Sequence, residues 1–410
     1  MTDARNRFKH TVNALPNSPL KAPRLQRIAQ RMHGIAPFEV MEIQTGARAL
    51  ERQGHDVIHM EIGEPDFATP APIVEAAIAA MKNERMFYTS ALGLMPLREA
   101  IAAWYGTRFG VKVDPSRVVV TAGSSAALLL VLGVLLDSGD EVLMADPGYP
   151  CNRHFVRALD GVPVSIPCGA AERYQLTTSA LVTRWRNRTR AALVATPSNP
   201  TGTLIAHDEL TRLNDAVRVR AGAMIVDEIY QGLTYGQEPT TAAALGEDVF
   251  VINSFSKYFQ MTGWRIGWAL VPPAYARAVE TLAQNLFISP STPAQYAALA
   301  AFKPESISIL EERRRELQKR RDFLVPALES AGFQIPVVPE GAFYVYADST
   351  GLDTDSYALA ARILQQCHVA VTPGKDFGSA APQKHIRIAY TQPVERLAEA
   401  IDRIRTKLQR

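Results

Sequence analysis

The 410-residue chain is 47% hydrophobic and 21% charged, long enough to bury a large core in two domains and too apolar to be disordered. Its 44 lysines and arginines against 41 acidic residues leave a formal charge of +3, which gives no general electrostatic pull toward nucleic acid or an anionic membrane and leaves a small molecule as the expected partner. No apolar run reaches the roughly 18 residues of a membrane span, and Cys151, Cys168 and Cys367 are an odd set without CxxC spacing. That argues against a disulfide framework and a zinc site and predicts a reducing, cytoplasmic setting.

In chain order, the first segment carries Arg5, Arg7, Lys9, Lys21, Arg24 and Arg27 against Asp3 alone, and it lacks the apolar core of a signal peptide. Pro16, Pro19 and Pro23 interrupt the amphipathic helix that a transit peptide needs, so a basic arm is predicted. The middle of the chain alternates short apolar runs with helical patterns. Strands are predicted at 117–121 (RVVVT), 141–145 (EVLMA), 163–167 (PVSIP), 191–195 (AALVA), 223–227 (AMIVD) and 249–254 (VFVINS), the pattern of a parallel sheet covered on both faces. Each run ends in polar or Gly/Pro residues, and ligands of open α/β sheets bind where such loops leave the carboxyl ends of strands. One long helix is predicted over 305–328, with the basic residues at 313–315 and 319–321 on a solvated face beside Glu311, Glu312 and Glu316. Beyond it FQIPVV, GAFYVYAD and HIRIAY read as strands of a smaller α+β unit.

Lys257 lies in SFSKYFQMTGWRIGW. A loop lysine is ordinarily a solvated surface charge. This one follows the last predicted strand of the sheet, and Ser254, Ser256 and Arg265 beside it supply hydroxyl and guanidinium donors suited to a phosphate. A second anion cradle is predicted at Gly123, Ser124 and Ser125 in TAGSSAALLL, where a strand turns into a helix whose first N–H groups are unpaired. Asp227 ends the strand of GAMIVDEIY, Tyr230 follows it, and Asn199 stands in TPSNPTG after the neighbouring strand. Each alone reads as a cap or loop residue. Together, a carboxylate, a phenol and an amide near one lysine suit a heteroaromatic ring with a basic nitrogen and a phenolic oxygen.

These motifs, with DPGYP and HIRIAY, resemble the fold-type I pyridoxal-phosphate enzymes, and closely the class I/II aminotransferases, in order from IHMEIGEPDFATP to HIRIAY. The resemblance implies a large cofactor-binding domain over 63–303 with a mostly parallel seven-stranded sheet between helices, and a smaller α+β domain from both chain ends, 1–62 and 304–410. It implies pyridoxal 5'-phosphate as cofactor, an L-amino acid and a 2-oxo acid as substrates, and no metal. Lys257 is then the Schiff-base lysine and proton shuttle, its pKa lowered by partial burial and by Arg265. Asp227 pairs with the pyridine nitrogen, Tyr230 and Asn199 with the phenolate oxygen, and Tyr149 stacks on the ring. Gly123, Ser124, Ser125, Ser254 and Arg265 hold the phosphate. Tyr88 matches a tyrosine that reaches the phosphate of a neighbouring subunit, which implies a homodimer. Arg387, with the Asn199 side chain and the Gly63 backbone, receives the substrate carboxylate, and Asn199–Pro200 is expected to be cis. Segments 339–345 and 371–378 border the substrate.

The sequence departs from the family where the substrate is chosen. Ser125 stands where relatives that use aspartate commonly have a lysine, and apolar Ile35, Ala36, Pro37 and Phe38 occupy the segment that covers the substrate. A neutral or hydrophobic amino donor is expected, with a dicarboxylate still open as the second substrate if another arginine such as Arg153 swings in, and aspartate aminotransferase as an alternative reading. The same lysine and cofactor also serve β-lyases and decarboxylases. A non-catalytic domain of a transcription regulator is disfavoured, because the segment before IHMEIGEPDF lacks a helix-turn-helix pattern.

Overall fold

A computed structural model describes residues 28–408, and the predicted basic arm lies outside them. The first described elements are α1 (Glu39–Arg52), β1 (Ile58–His59), α2 (Ala71–Asn83) and α3 (Met95–Phe109). There follow β2 (Val118–Thr121), α4 (Gly123–Leu135), β3 (Glu141–Asp146), α5 (Pro150–Ala158), β4 (Val162–Pro167), α6 (Thr178–Arg184), β5 (Thr189–Ala195), α7 (His207–Arg218), β6 (Ala223–Asp227), β7 (Phe250–Ser254) and β8 (Gly267–Leu270). Helices α8 (Ala276–Leu286), α9 (Thr292–Ala301) and α10 (Pro304–Ser330) lead to β9 (Tyr344–Asp348), α11 (Ser356–Arg362), β10 (Val369–Ala370), β11 (Thr372–Pro373), β12 (His385–Ala389) and α12 (Val394–Leu408).

Strands β2 to β8 form one seven-stranded sheet in the order β2-β8-β7-β6-β5-β3-β4. All run the same way except β8, which is antiparallel to both neighbours. The apolar runs explain why the sheet is buried on both sides. Along β6, Met224 and Val226 enter one core cluster while Ala223, Ile225 and the neighbouring Ile252 enter the other, the period-two alternation of a pleated strand between two helical layers. Because β2, β3, β5, β6 and β7 are co-directional, the residues after Thr121, Asp146, Ala195, Asp227 and Ser254 all emerge at one edge, where open α/β sheets bind ligands.

The two chain ends fold against each other. Strand β1 pairs in parallel with β10, Ile58 opposite Val369, and β12 pairs antiparallel with β9 and β11. Three expectations are corrected here. FQIPVV is not a strand: only Gln334 bridges to Asp348, and Pro336 cannot donate to a ladder. Strand β8 was not among the runs read as strands, being four residues of which the first two, Gly267 and Trp268, close the lysine motif. The basic face of α10 is only partly solvated: Arg315 and Lys319 are exposed, but Arg313, Arg314 and Arg320 are engaged. Arg320 is buried on Asp66 (2.8 Å) and the Thr391 carbonyl (2.5 Å), Arg313 donates to the Ala68 carbonyl (2.7 Å), and Arg314 to the Thr234 carbonyl (3.1 Å). Leu310, Leu317 and Leu324, buried at seven-residue spacing, share that face with Arg313, Arg314 and Arg320, which lie three or four residues from them along the helix, so Arg313 and Arg320 act as staples between α10 and the loop from Glu64 to Thr69.

Candidate active site

The loops at the sheet edge and segments of the chain ends enclose a cavity of about 320 Å³. Lys257 follows β7 and its Nζ donates to the Gly63 carbonyl at 2.6 Å. Burial is the main force lowering its pKa, to about 8, with Arg387 and then Arg265 adding to it and Glu64 opposing. The sequence reading named burial and Arg265; the larger cationic contribution comes from Arg387, which is remote in sequence. A lysine brought to about 8 keeps a useful share of neutral amine near pH 7 to 8, the form that attacks a carbonyl carbon.

Asp227 ends β6 in full burial. Its Oδ1 accepts from the Ile229 N–H at 3.0 Å, and desolvation pushes the carboxyl up to about 6. A buried carboxylate with a single neutral donor is short of a cationic partner. On the same wall, Tyr230 Oη and Tyr344 Oη are 2.9 Å apart, and Tyr149 at the start of α5 closes another side.

The anion cradle lies at the start of α4. Gly123 has φ +79°, open to glycine and strained for other residues, and a Cβ there would sit 2.7 Å from Arg265 Nη2. Removing that side chain lets the guanidinium lie against the helix start beside Ser124 and Ser125, which line the cavity. Arg265 Nη1 reaches Ser256 Oγ at 3.5 Å and the Thr262 carbonyl at 3.0 Å. Ser254 does not line the cavity. Its hydroxyl is turned to Ser256 Oγ (2.9 Å) and the Ile266 carbonyl (3.2 Å), so the hydroxyl that faces the cavity is Ser256, with Thr262 nearby.

Arg387 on β12 crosses from the chain end to meet Asn199. Its Nη1 donates to Asn199 Oδ1 at 3.1 Å and its Nη2 to the Glu61 carbonyl at 2.5 Å, while Nε is buried without a partner. The guanidinium lies over the rings of Tyr344 (4.4 Å) and Phe377 (4.9 Å). An unpaired buried N–H on a fixed guanidinium is the group that a bidentate carboxylate would satisfy. Gly63 cannot carry a side chain, because a Cβ there would collide with the Tyr344 hydroxyl. The Asn199–Pro200 bond is cis.

Of the apolar covering segment, Phe38 lines the cavity and Ile35, Ala36 and Pro37 do not; the wall continues instead through Val40, Met41 and Gln44 on α1. Tyr88 lies away from the cavity and is 81% exposed. Arg153 is engaged with the Asp376 carbonyl at 2.6 Å. Sequence reasoning missed Tyr344, Asp376 and Phe377 as individual residues, although the segments that carry them were marked as bordering the substrate. It missed Ile62, Val40 and Met41 altogether, since an apolar residue at a cavity wall has the same sequence signal as one in a core. Among the described residues there is no cluster of three or more His, Cys, Asp or Glu placed to hold a metal ion, and no helix long and apolar enough to cross a membrane.

This lysine, the buried carboxylate and the serines and arginine at the start of α4 line one cavity at one sheet edge, and comparison with known proteins gives the class. Residues 55–404 match the family of class I and II aminotransferases, and the chain belongs to that family. It is 39% identical over 383 residues to the valine–pyruvate aminotransferase of Mycobacterium tuberculosis, covering 92% of this chain and 97% of the relative. It is 33% identical over 392 residues to an aspartate aminotransferase of Bacillus subtilis, covering 92% and 98%. The crystal structure of an aminotransferase from Mycobacterium tuberculosis superposes with a TM-score of 0.89 at 39% identity, over 93% of this chain and 98% of that one. The protein is an aminotransferase that uses pyridoxal phosphate, acting on amino acids and 2-oxo acids.

Proposed function

We propose that the chain moves the amino group of a neutral or apolar L-amino acid to a 2-oxo acid, with the two substrates taking turns in one cavity. The observation that carries the choice of donor is the apolar part of the cavity lining. Phe38, Val40, Met41, Ile62 and Phe377 supply apolar surface, Ser125 supplies only a hydroxyl, and the cations among the lining residues are Lys257, Arg265 and Arg387. A distal carboxylate would enter this wall without a charge partner, which is unfavourable by several kcal/mol when water is excluded.

The residues fit the cofactor. Ser124, Ser125, Ser256 and Arg265 around the start of α4 would take its phosphate, and Asp227 its ring nitrogen, relieving a carboxylate that burial has pushed up to about 6. Tyr230 and Asn199 would face its phenolic oxygen and Tyr149 its ring. Bound there, pyridoxal phosphate supplies a carbonyl carbon for amines and a ring that delocalises the charge left when a substrate Cα loses its proton. Arg387 and Asn199 orient the substrate through its carboxylate, and Lys257 takes the proton from Cα and returns it during transfer. The apolar wall keeps water from competing.

The same reading makes the protein a cytoplasmic homodimer. All three cysteines are free, as a reducing compartment favours. Met81, Phe87, Tyr88, Met95, Leu286 and Ile288 are exposed apolar or aromatic residues, and Thr292 ties the two stretches together through the Phe87 carbonyl at 2.7 Å. Such a surface is suited to a second copy, with Tyr88 entering the partner's site. The described parts of the chain ends, 28–62 and 304–408, would form the smaller domain that carries the substrate wall.

Half-reaction rates of the holoenzyme with leucine, methionine, phenylalanine and alanine against aspartate and glutamate test the choice of donor. The neutral set is expected to lead; a strong preference for aspartate overturns it. Pyruvate and ammonia formed from a cysteine conjugate without a 2-oxo acid would mark a lyase instead.

A further inference from the structure

Helix α1 starts at Glu39, and Phe38 at its N-cap position offers no side-chain hydrogen bond. A helix start leaves its first N–H groups without partners. Here the missing cap comes from the far end of the chain: Asp376 Oδ1 accepts from the Glu39 N–H at 2.7 Å and Oδ2 from the Val40 N–H at 2.9 Å, across 337 and 336 residues. The Asp376 carbonyl is itself held by Arg153 Nη2 at 2.6 Å, and Lys375 Nζ pairs with Glu39 Oε1 at 2.8 Å. Asp376 is buried and lines the cavity beside Phe377, whose ring lies under Arg387. The turn it caps carries Phe38, Val40 and Met41, the apolar wall of the cavity.

We infer that Asp376 is a specificity-determining positioning residue: its carboxylate latches the first turn of α1 over the cavity, fixing the apolar wall against the substrate side chain and adding an acidic group to the cavity lining. This rests on the amino-acid donor reading above. A carboxylate at a helix start gains from charge-assisted hydrogen bonds and from the positive end of the helix dipole; both Asp376 oxygens accept here, the arrangement of the ionised form, while burial works against it and raises the pKa. The same anion repels a like charge brought into the low-dielectric cavity. A donor with a long apolar side chain gains from the fixed wall, whereas the methyl of alanine stops short of it.

The test compares kcat and KM of wild type, Asp376→Ala and Asp376→Asn for alanine, leucine, phenylalanine and aspartate. In Asp376→Ala, kcat/KM for leucine and phenylalanine is expected to fall at least about tenfold further than for alanine, mainly through KM, and aspartate is expected to gain relative to leucine. Asp376→Asn removes the charge and keeps one acceptor, so aspartate gains while leucine falls less. Glu39→Pro attacks the latch from the other side. Proline is well suited to the first helical position and deletes one of the two N–H donors; the leucine-to-alanine ratio should fall in the same direction by a smaller factor, with no additional loss in the double variant with Asp376→Ala. A parallel loss for alanine and leucine, or an unchanged ratio in Glu39→Pro, overturns the inference. Wild-type turnover of leucine and alanine, measured first, tests the underlying donor reading by itself.

Discussion

The two halves of the cavity are built differently. The half proposed to hold the cofactor is made of near-consecutive residues at strand ends: Ser124 and Ser125 after β2, Asp227 at the end of β6 with Tyr230 beyond it, and Ser256 and Lys257 after β7. The substrate half is stitched together from segments hundreds of residues apart, with Asp376 on Glu39 and Arg387 on both Glu61 and Asn199. A sheet edge places the first set by backbone geometry alone, so those residues survive as short motifs. The second set depends on how the chain ends dock, and there the fold allows wide variation of substrate without disturbing the chemistry.

That contrast predicts a hierarchy of effects. Lys257→Ala strikes the cofactor half at its reacting group and should lower transamination of every donor by about 10⁴-fold or more, because proton transfer and the covalent link to the cofactor depend on the same amine. The measurement is the half-reaction rate, together with loss of the absorbance of the lysine-bound cofactor. Equal loss for alanine and leucine is required; a selective loss would mean that Lys257 belongs to the substrate wall. In wild type, capture of the cofactor by the apoprotein should speed up as pH rises through about 8, where the lowered pKa of Lys257 releases its proton, and level off above.

Arg387→Lys tests the seam between the halves. A lysine cannot reproduce the donation to Asn199, the Glu61 carbonyl and a substrate carboxylate from one plane. A loss of about 10²- to 10³-fold in kcat/KM is expected, shared by all amino acids because all carry the same α-carboxylate, while cofactor affinity is little changed. An amine without a carboxylate should lose nothing.

A finer comparison lies within one loop. Ser256 faces the cavity and Ser254 stands behind it, so Ser256→Ala should weaken cofactor binding directly, by about tenfold. Ser254→Ala removes a buried hydroxyl that accepts from the Ser256 N–H at 3.1 Å, and it should lower thermal stability by about 1 kcal/mol with a smaller change in cofactor affinity. The reverse order, read by equilibrium dialysis of the apoprotein variants, would return the phosphate contact to Ser254.

The sequence alone made the parallel sheet legible because its strands are fully apolar runs that end in chemistry-bearing residues, as in AMIVD followed by Glu228, Ile229 and Tyr230. It offered both Ser254 and Ser256 as donors and assigned the phosphate to Ser254, whereas Ser256 is the one that lines the cavity; a hydroxyl two residues along has the same composition, and only the turn after β7 decides which one faces inward. It misread the arginines of α10, because a run of basic residues among glutamates looks solvated until the helix is laid against the loop that holds Asp66 and Ala68. Asp376 was unreadable for the same reason: a carboxylate caps a helix whose start lies 337 residues away, and no local pattern records that.

The smallest effect concerns the support behind Arg387. His59 Nδ1 is 2.8 Å from Glu61 Oε1 and its Nε2 is 3.1 Å from Glu51 Oε1. The Glu61 hydrogen bond is the largest influence on this imidazole and, against the opposing desolvation, raises its pKa from 6.5 to about 9. The folded state therefore holds a proton that the unfolded chain releases between these values. The stabilisation is complete below about pH 6.5 and is lost as pH rises through about 9, with an upper bound of about 3 to 4 kcal/mol that solvent screening of this half-buried imidazole reduces. Urea unfolding at pH 6, 7.5 and 9 should show wild type losing stability relative to His59→Gln along this series. The difference between the two profiles isolates the histidine from Lys257, whose lowered pKa acts in the opposite sense toward higher pH. Because Glu61 offers its backbone carbonyl to Arg387, the loss of the pair should appear in KM for all amino acids by no more than about threefold. A large change confined to leucine would move His59 from a support of the carboxylate site to a part of the apolar wall.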